Sequence, residues 1–175
     1  LVPFHFFFFF AFEGASAEVA GFLSVASKAG AFGLLVRFCL ALSGAAGTES
    51  LMIAFGVGLG FIACLTTTFG NLAAYAQTNL KRLLAYSSIN NVGFLLIGLA
   101  AGTEQGLAAI LVYLAIYVAM TLGGFICLMQ LKGRDGEMKE NMADIAGLSK
   151  THPALAAVFA IFMFSLAGIP PLFGF

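Results

Sequence analysis

The chain carries little charge: charged side chains make up 9% of its 175 residues, and it has no tryptophan. Eight lysines and arginines balance eight aspartates and glutamates, so the formal net charge is zero. A balanced chain has no basic field that would recruit nucleic acid and no acidic field that would recruit cations. We therefore expect no nucleic-acid partner.

Cysteine motifs and nucleotide-binding motifs are also absent from the sequence. The three cysteines, Cys39, Cys64 and Cys127, lie singly in apolar runs without CxxC spacing, which argues against a disulfide framework or a metal site. No dinucleotide fingerprint follows a strand pattern, so we expect no NADH, flavin or iron-sulfur site in this chain. The opening LVPFHFFFFF lacks a basic region and an initiator methionine, which indicates a fragment of a longer protein.

Long apolar runs dominate what remains. Hydrophobic residues make up 61% of the chain and the mean hydropathy is +1.03, far above an ordinary globular domain. A helix needs about 20 apolar residues to cross a bilayer. Four stretches meet that length: Val19–Leu42, Leu51–Tyr75, Leu83–Ala101 and Leu107–Leu131. We predict an all-α, polytopic transmembrane helix bundle, with residues 1–175 forming a single domain in the lipid bilayer.

Two interrupted apolar segments flank these four spans. Leu1–Phe12 is too short to span and contains Pro3, and a second segment starts at Pro153 and meets Gly168, Pro170 and Pro171. Glycine and proline at these places predict breaks in the helical hydrogen bonding. Transporters built from inverted repeats place broken helices at corresponding positions of each repeat, so we expect partial or broken helices at both ends.

The distribution of positive charge predicts the orientation. Lys81, Arg82 and the long polar loop 132–152 fall on one side of the predicted spans, and that loop holds Lys132, Arg134, Lys139 and Lys150. Cytoplasmic loops carry an excess of lysine and arginine, so this side is predicted to be cytoplasmic. Within the loop, Asn141 followed by Met142 and Ile145 predicts a short amphipathic turn at the membrane surface.

One lysine interrupts the first predicted span, in the stretch FLSVASKAGAFGLL. Lys28 lies roughly 14 Å from one end of that helix and 21 Å from the other, and a lysine at such depth costs about 2.5 to 3.5 kcal/mol. It must therefore either release its proton or face water and a counter-charge. Ser24 and Ser27 stand four and one residues before it and could line a hydrated path. The alternative is a structural ion pair with a carboxylate of a neighbouring helix. Because no span here contains a deep Asp or Glu, that partner would have to come from missing sequence or another chain.

Further candidates for a proton relay have structural alternatives. His5 follows Pro3 and could relay protons, since histidine side chains change charge near neutral pH, but a single histidine among aromatic residues can also simply pack at a helix end. Tyr113 and Tyr117 share one helix face at i and i+4, where they could relay protons or hold helices together. Lys81 could feed protons from the cytoplasm or anchor the helix at the interface.

Two longer motifs resemble a known family. The run QTNLKRLLAYSSINNVGFLLIGLA and the ending FSLAGIPPLFGF resemble the antiporter-like membrane subunits of respiratory complex I, and sodium/proton antiporter subunits share the LKRLLAYSSI region. Among the related subunits L, M and N, tyrosines at positions 113 and 117 followed by Gly123, Gly124 and Phe125 look like subunit N.

The resemblance implies a proton-translocating subunit of an NADH:quinone oxidoreductase in the bacterial inner membrane. Lys28 would match the lysine of the family's eighth transmembrane helix, a proton carrier on its central axis. NADH, FMN, iron-sulfur clusters and quinone would be bound by other subunits, and the partners would be L-, M- and K-like membrane subunits. The alternatives are a sodium/proton antiporter subunit and a scaffolding remnant that no longer conducts.

The predicted orientation can be tested by cysteine labelling. Single cysteines introduced between Lys132 and His152 should react with a membrane-impermeant reagent only after cells are permeabilised, because this side carries the positive charge. Strong labelling of that loop in intact cells would reverse the orientation.

Overall fold

The computed structural model describes residues 6–44, 47–131 and 140–168. Within these ranges the backbone forms seven α-helices and one 3₁₀ turn, Met142–Ile145. The helices are α1 Phe6–Gly14, α2 Ala17–Ser43, α3 Glu49–Tyr75, α4 Leu80–Ala100, α5 Glu104–Met129, α6 Leu148–Thr151 and α7 Pro153–Leu166.

The four long helices confirm the four predicted spans. Helices α2 to α5 contain 27, 27, 21 and 26 residues, and each is apolar enough to cross a membrane. At about 1.5 Å per residue even the shortest covers roughly 30 Å, the thickness of the hydrocarbon core. The chain is therefore an integral membrane protein with an all-helical bundle fold.

All four long helices begin two or three residues before the predicted apolar runs, and side-chain caps explain the starts of α4 and α5. The side chain of Asn79 accepts hydrogen bonds from the backbone N–H groups of Lys81 and Arg82 at 2.9 and 3.2 Å, and Thr103 caps α5 through Gly106 N at 3.0 Å. Asn79 and Thr103 occupy the N-cap positions just before these first turns, because helix starts need capping oxygens. Lys81 and Arg82 thus belong to the first turn of α4 and not to the loop before it.

The predicted breaks are only partly covered by the described residues. Helix α7 begins with Pro153 in its first turn, as predicted, and ends at Leu166. Gly168 adopts a φ of 77°, a left-handed conformation that cannot continue the helix. Pro3, Pro170 and Pro171 lie outside the described residues, so a break around them stays a prediction.

The chain returns from the loop onto the helix ends. The N–H of Leu80 donates to Glu140 O at 2.7 Å, and that of Met142 donates to Thr78 O at 2.9 Å. The amphipathic turn predicted after Asn141 is the 3₁₀ turn, whose Ile145 packs against the hydrophobic core. This turn therefore covers the core where α4 begins.

Two apolar clusters form the core, at different heights in the bundle. The Phe125 cluster lies where α4 begins and α5 ends and includes Phe12, Leu84, Phe125, Leu128 and Phe159. The Leu96 cluster lies towards the opposite ends of α4 and α5 and includes Phe32, Leu59, Leu95, Leu96, Leu99 and Ile110. On α2, α4 and α5, buried polar residues stand between the positions that enter the two clusters. The core is therefore divided by a polar layer.

Helices α3 and α4 approach closely because glycine faces the partner backbone. A Cβ atom at Gly93 would lie 3.1 Å from Thr67 N and 3.2 Å from Ala63 O, and one at Gly70 would lie 3.0 Å from Asn90 N. Small residues permit such approach between membrane helices, where dispersion contacts and not water exclusion drive association. This contact fixes the position of α4, which carries part of the polar layer.

We expect Gly93→Ala to destabilise the protein by about 1–3 kcal/mol, because the added methyl group overpacks a contact made with backbone atoms. The matched control is Gly58→Ala on α3, where a Cβ atom would meet nothing within 4 Å. Thermal unfolding of the full-length protein in detergent should give a lower Tm for Gly93→Ala only. Equal Tm values for both variants would contradict the close α3–α4 contact.

Candidate functional site

The polar layer brings together buried side chains from three helices. Helix α2 contributes Ser24 and Lys28, α4 contributes Ser88 and Asn91, and α5 contributes Tyr117. On α2 and α4 these residues recur three or four positions apart, so they share one helix face. Apolar residues above and below them shield the layer within the bundle.

Lys28 lies at the centre of this layer and is 6% exposed. Its Nζ donates to the backbone oxygen of Ser88 at 3.0 Å and to the hydroxyl of Tyr117 at 2.6 Å. It also donates to the hydroxyl of Ser88 and stands 4.5 Å from the centre of the Tyr117 ring. Burying an ammonium is costly unless it is hydrogen-bonded, and these oxygens supply the bonds.

Three hydroxyl groups form a closed set beside the ammonium, which we call the hydroxyl triangle. The oxygens of Ser24 and Ser88 are 3.1 Å apart, those of Ser24 and Tyr117 are 2.8 Å apart, and those of Ser88 and Tyr117 are 3.0 Å apart. A hydroxyl both donates and accepts, so each bond can run in either direction. The triangle can therefore reverse its hydrogen bonds without moving a heavy atom.

A second polar pair connects α4 and α5 one turn away. The hydroxyl of Tyr113 donates to Asn91 Oδ1, and Asn91 Nδ2 donates to Ser87 O at 2.7 Å. Asn91 stands three residues after Ser88, and Tyr113 stands four residues before Tyr117. Tyr113 thus shares a helix face with Tyr117, as predicted, but its hydroxyl bonds to an amide and Tyr117 bonds to the hydroxyl triangle.

The structure separates the other residues that the sequence singled out. Ser24 joins Lys28, but Ser27 is exposed and donates to Leu23 O of its own helix at 2.6 Å. His5 lies outside the described residues. Lys81 lies seven residues before Ser88 on α4, roughly 10 Å along the axis, so the structure does not bring it to Lys28. Its role in a relay stays a prediction.

Lys81 instead joins three segments at the end of the bundle. Its Nζ pairs with Glu140 Oε1 at 2.7 Å and donates to Glu13 O and Ala15 O at 3.1 and 3.2 Å. A cation at these carbonyls satisfies the C-terminal end of α1. The neighbouring Arg82 pairs with the carboxylate of Glu13 at 2.5 Å. Both cations therefore hold the end of α1, which leads directly into α2 and Lys28.

A cleft opens beside α4, and Lys28 is not among the residues that line it. Its volume is about 650 Å³, and α3, α4, α5 and α7 all contribute to its lining. Polar lining residues include Asn71, Ser87, Asn90, Tyr113 and Ser165. Asn90 Oδ1 is buried without a hydrogen-bond partner among the described residues. The cleft thus reaches the Asn91–Tyr113 pair through Ser87 and Tyr113.

Ser88 and Asn91 belong to the site but were not identified as site residues from the sequence. They stand three apart in the apolar helix α4, so they mark a polar face that the pattern alone could have revealed. The sequence pattern does not show which residues of other helices contact that face. No group of three His, Cys, Asp or Glu side chains that could hold a metal occurs in the described part of the chain.

Comparison with known proteins identifies a family and several relatives of this chain. The model of the NADH:quinone oxidoreductase/Mrp antiporter transmembrane family matches residues 1–175. NADH-quinone oxidoreductase subunit N of Rhizorhabdus wittichii is 52% identical over 174 residues, and that of Erythrobacter litoralis is also 52% identical. The subunit N of Methylobacterium nodulans is 48% identical over 175 residues. Each alignment covers 99% of this chain and 35% of the relative, so the chain spans about a third of their length.

We expect Lys81→Met to destabilise the protein by about 3 kcal/mol, because it breaks a buried ion pair and leaves the carbonyls of α1 unpaired. This value is at the lower end of the usual range because the Glu140 side chain is 28% exposed. The matched control is Arg82→Met, whose pair with Glu13 is 39% exposed on both sides and should contribute under about 1 kcal/mol. A smaller Tm loss for Lys81→Met than for Arg82→Met, measured on the full-length protein, would contradict the role of Lys81 in holding the end of α1.

Proposed function

Because the chain belongs to the NADH:quinone oxidoreductase/Mrp antiporter transmembrane family, we propose that it is the central part of a complex I subunit N that translocates protons. The names of its relatives support this choice of subunit. In this proposal the chain is a component of a bacterial inner-membrane enzyme complex and works beside L-, M- and K-like membrane subunits.

The observation that carries the proposal is the environment of Lys28. A protonatable amine lies inside a membrane span, between two apolar clusters, in contact with hydroxyl groups that can both accept and donate. Ionisable groups within membrane spans mark ion and proton pathways as a rule. A purely structural lysine would need hydrogen-bond acceptors, but those acceptors would not also need to be able to donate a proton.

The geometry supports a defined transfer step. One N–H bond of the Lys28 ammonium breaks, and its proton passes to the oxygen of Tyr117 at 2.6 Å. The O–H proton of Tyr117 moves at the same time to the oxygen of Ser24 at 2.8 Å, and the O–H proton of Ser24 passes to a water molecule outside the triangle. Lys28 is left as a neutral amine and each hydroxyl keeps one proton. Transfer in the reverse direction recharges the amine.

The energy for this movement would come from outside the chain. Quinone reduction by NADH, carried by FMN and iron-sulfur clusters, would take place in other subunits of the complex. This chain then contributes membrane-embedded proton transfer only, and the coupling must reach it through its contacts with neighbouring subunits.

A sodium/proton antiporter subunit is the second candidate, since the matching family also includes Mrp antiporters. Both functions use a membrane-embedded proton carrier. They differ in the energy source, because an antiporter exchanges protons for sodium without NADH oxidation. A remnant that serves only as a scaffold would conduct no protons in either assay.

We expect Lys28→Ala in the full-length subunit to reduce NADH-driven proton pumping by roughly 10²-fold, as loss of a positioned proton-transfer group does. Lys28→Arg should also impair pumping, because arginine holds its proton too tightly to release it. Acidification of inverted membrane vesicles measures pumping, and native gels measure the amount of assembled complex.

The control is Lys150→Ala, the same change at an exposed lysine, which should pump like the parent. Under the structural alternative, Lys28→Arg would pump almost normally and Lys28→Ala would mainly reduce assembly. Near-normal pumping by a well-assembled Lys28→Ala complex would exclude Lys28 from the pathway. Proton movement that requires sodium and not NADH would favour the antiporter.

A further inference from the structure

We propose that the Asn91–Tyr113 pair is a proton barrier that separates the Lys28 site from the cleft beside α4, and that Tyr113 is not a relay. This inference rests on the proposed role of Lys28. It adds Asn91 to the site and states on which side of Lys28 proton exchange is prevented. It reverses the expectation that two tyrosines on one helix face conduct together.

The first step is the orientation of the Asn91 amide. Asn91 is buried, and one end of its amide lies 2.7 Å from the backbone oxygen of Ser87. A carbonyl oxygen can only accept, so the end facing it must be the NH₂ group. The amide oxygen is thereby turned towards α5, and the side chain cannot flip without losing this bond.

The second step is the orientation of the Tyr113 hydroxyl. Because Asn91 Oδ1 can only accept, the Tyr113 proton must point towards it. An amide oxygen is a poor base and an amide NH₂ is a poor acid, so Asn91 does not pass a proton onwards. Tyr113 therefore donates its hydrogen bond to the Asn91 amide, which does not pass the proton to a further group.

The contrast with the hydroxyl triangle shows what this arrangement does. Ser24, Ser88 and Tyr117 are linked by bonds that can run in either direction, whereas every bond in the Asn91–Tyr113 pair has one possible direction. The two sets are one helical turn apart on α4 and α5. Proton exchange is thus permitted within the triangle and prevented one turn further on.

The cleft explains why a barrier is needed at this place. It has a volume of about 650 Å³, and Tyr113 and Ser87 are among its lining residues. Ser87 Oγ lies 3.5 Å from Asn91 Nδ2, so polar groups lead from the cleft up to the pair. If the pair could relay protons, Lys28 would exchange with the cleft whatever the state of the rest of the complex.

The decisive variants are made in the full-length subunit of the assembled complex. Tyr113→Phe should pump at the parental rate, because it removes a hydroxyl that carries no proton flux. Tyr117→Phe is the matched comparison on the same helix face and should lose pumping, because it opens the hydroxyl triangle. Loss of pumping in Tyr113→Phe as severe as in Tyr117→Phe, with normal assembly, would overturn the inference.

Asn91→Asp tests the barrier directly, since a carboxyl group of nearly the same shape can take up and release a proton. We expect this complex to oxidise NADH but to lose the pH gradient of inverted vesicles, and the gradient should collapse faster once NADH is exhausted. The double variant Asn91→Asp with Tyr113→Phe should hold the gradient again, because the route through residue 113 is then interrupted.

Each outcome separates this inference from the proposed function. An assembled Asn91→Asp complex that holds its gradient like the parent would overturn the barrier, even if Lys28→Ala abolishes pumping. Normal pumping by Lys28→Ala would instead refute the proposed function. If Asn91→Asp fails to assemble, the comparison of Tyr113→Phe with Tyr117→Phe still tests the inference, because loss of pumping in an assembled Tyr113→Phe complex would show that Tyr113 is a relay.

Discussion

The buried ammonium group of Lys28 needs hydrogen-bond acceptors within the membrane span, and the rest of this bundle depends on that constraint. Lys28 can remain there only if oxygens from other helices lie at its height, and Ser88 of α4 and Tyr117 of α5 provide them. Three helices must therefore keep one register, and a shift of a single turn in any of them would leave a buried charge without partners. The apolar clusters on both sides of the layer stabilise that register by packing.

Helix α4 connects this constraint to the remainder of the fold. On one side, Gly93 and Gly70 allow it to pack against α3 almost backbone to backbone. On another it presents Ser88 and Asn91 to α2 and α5. Its first turn carries Lys81, which holds the end of α1 and the segment at Glu140. Because α1 leads into α2, the position of Lys28 is controlled at both the centre and the end of the bundle.

The chemistry of the polar layer depends on which oxygen-bearing groups are used and not only on their number. A hydroxyl group can both accept and donate a hydrogen bond, whereas an amide has a fixed donor end and a fixed acceptor end. Serines and a tyrosine surround Lys28, and an asparagine holds Tyr113. Neighbouring tyrosines on one face of α5 thus have different environments, and only one contacts the titratable group. Membrane interiors amplify the difference because few other proton acceptors are available there.

The sequence alone determined the class of fold, the four spans to within a few residues, and Lys28 as the residue that needs an explanation, because apolar run length and the cost of a buried charge are local properties. It also placed Tyr113 and Tyr117 on one face of α5. It did not predict that α4 starts at Leu80, since capped polar turns lie outside the apolar runs. Only the tertiary structure decided which oxygens surround Lys28: its partners are 60 and 89 residues away along the chain. Helical periodicity shows which residues share a face, but the packing of one helix against another determines what that face meets.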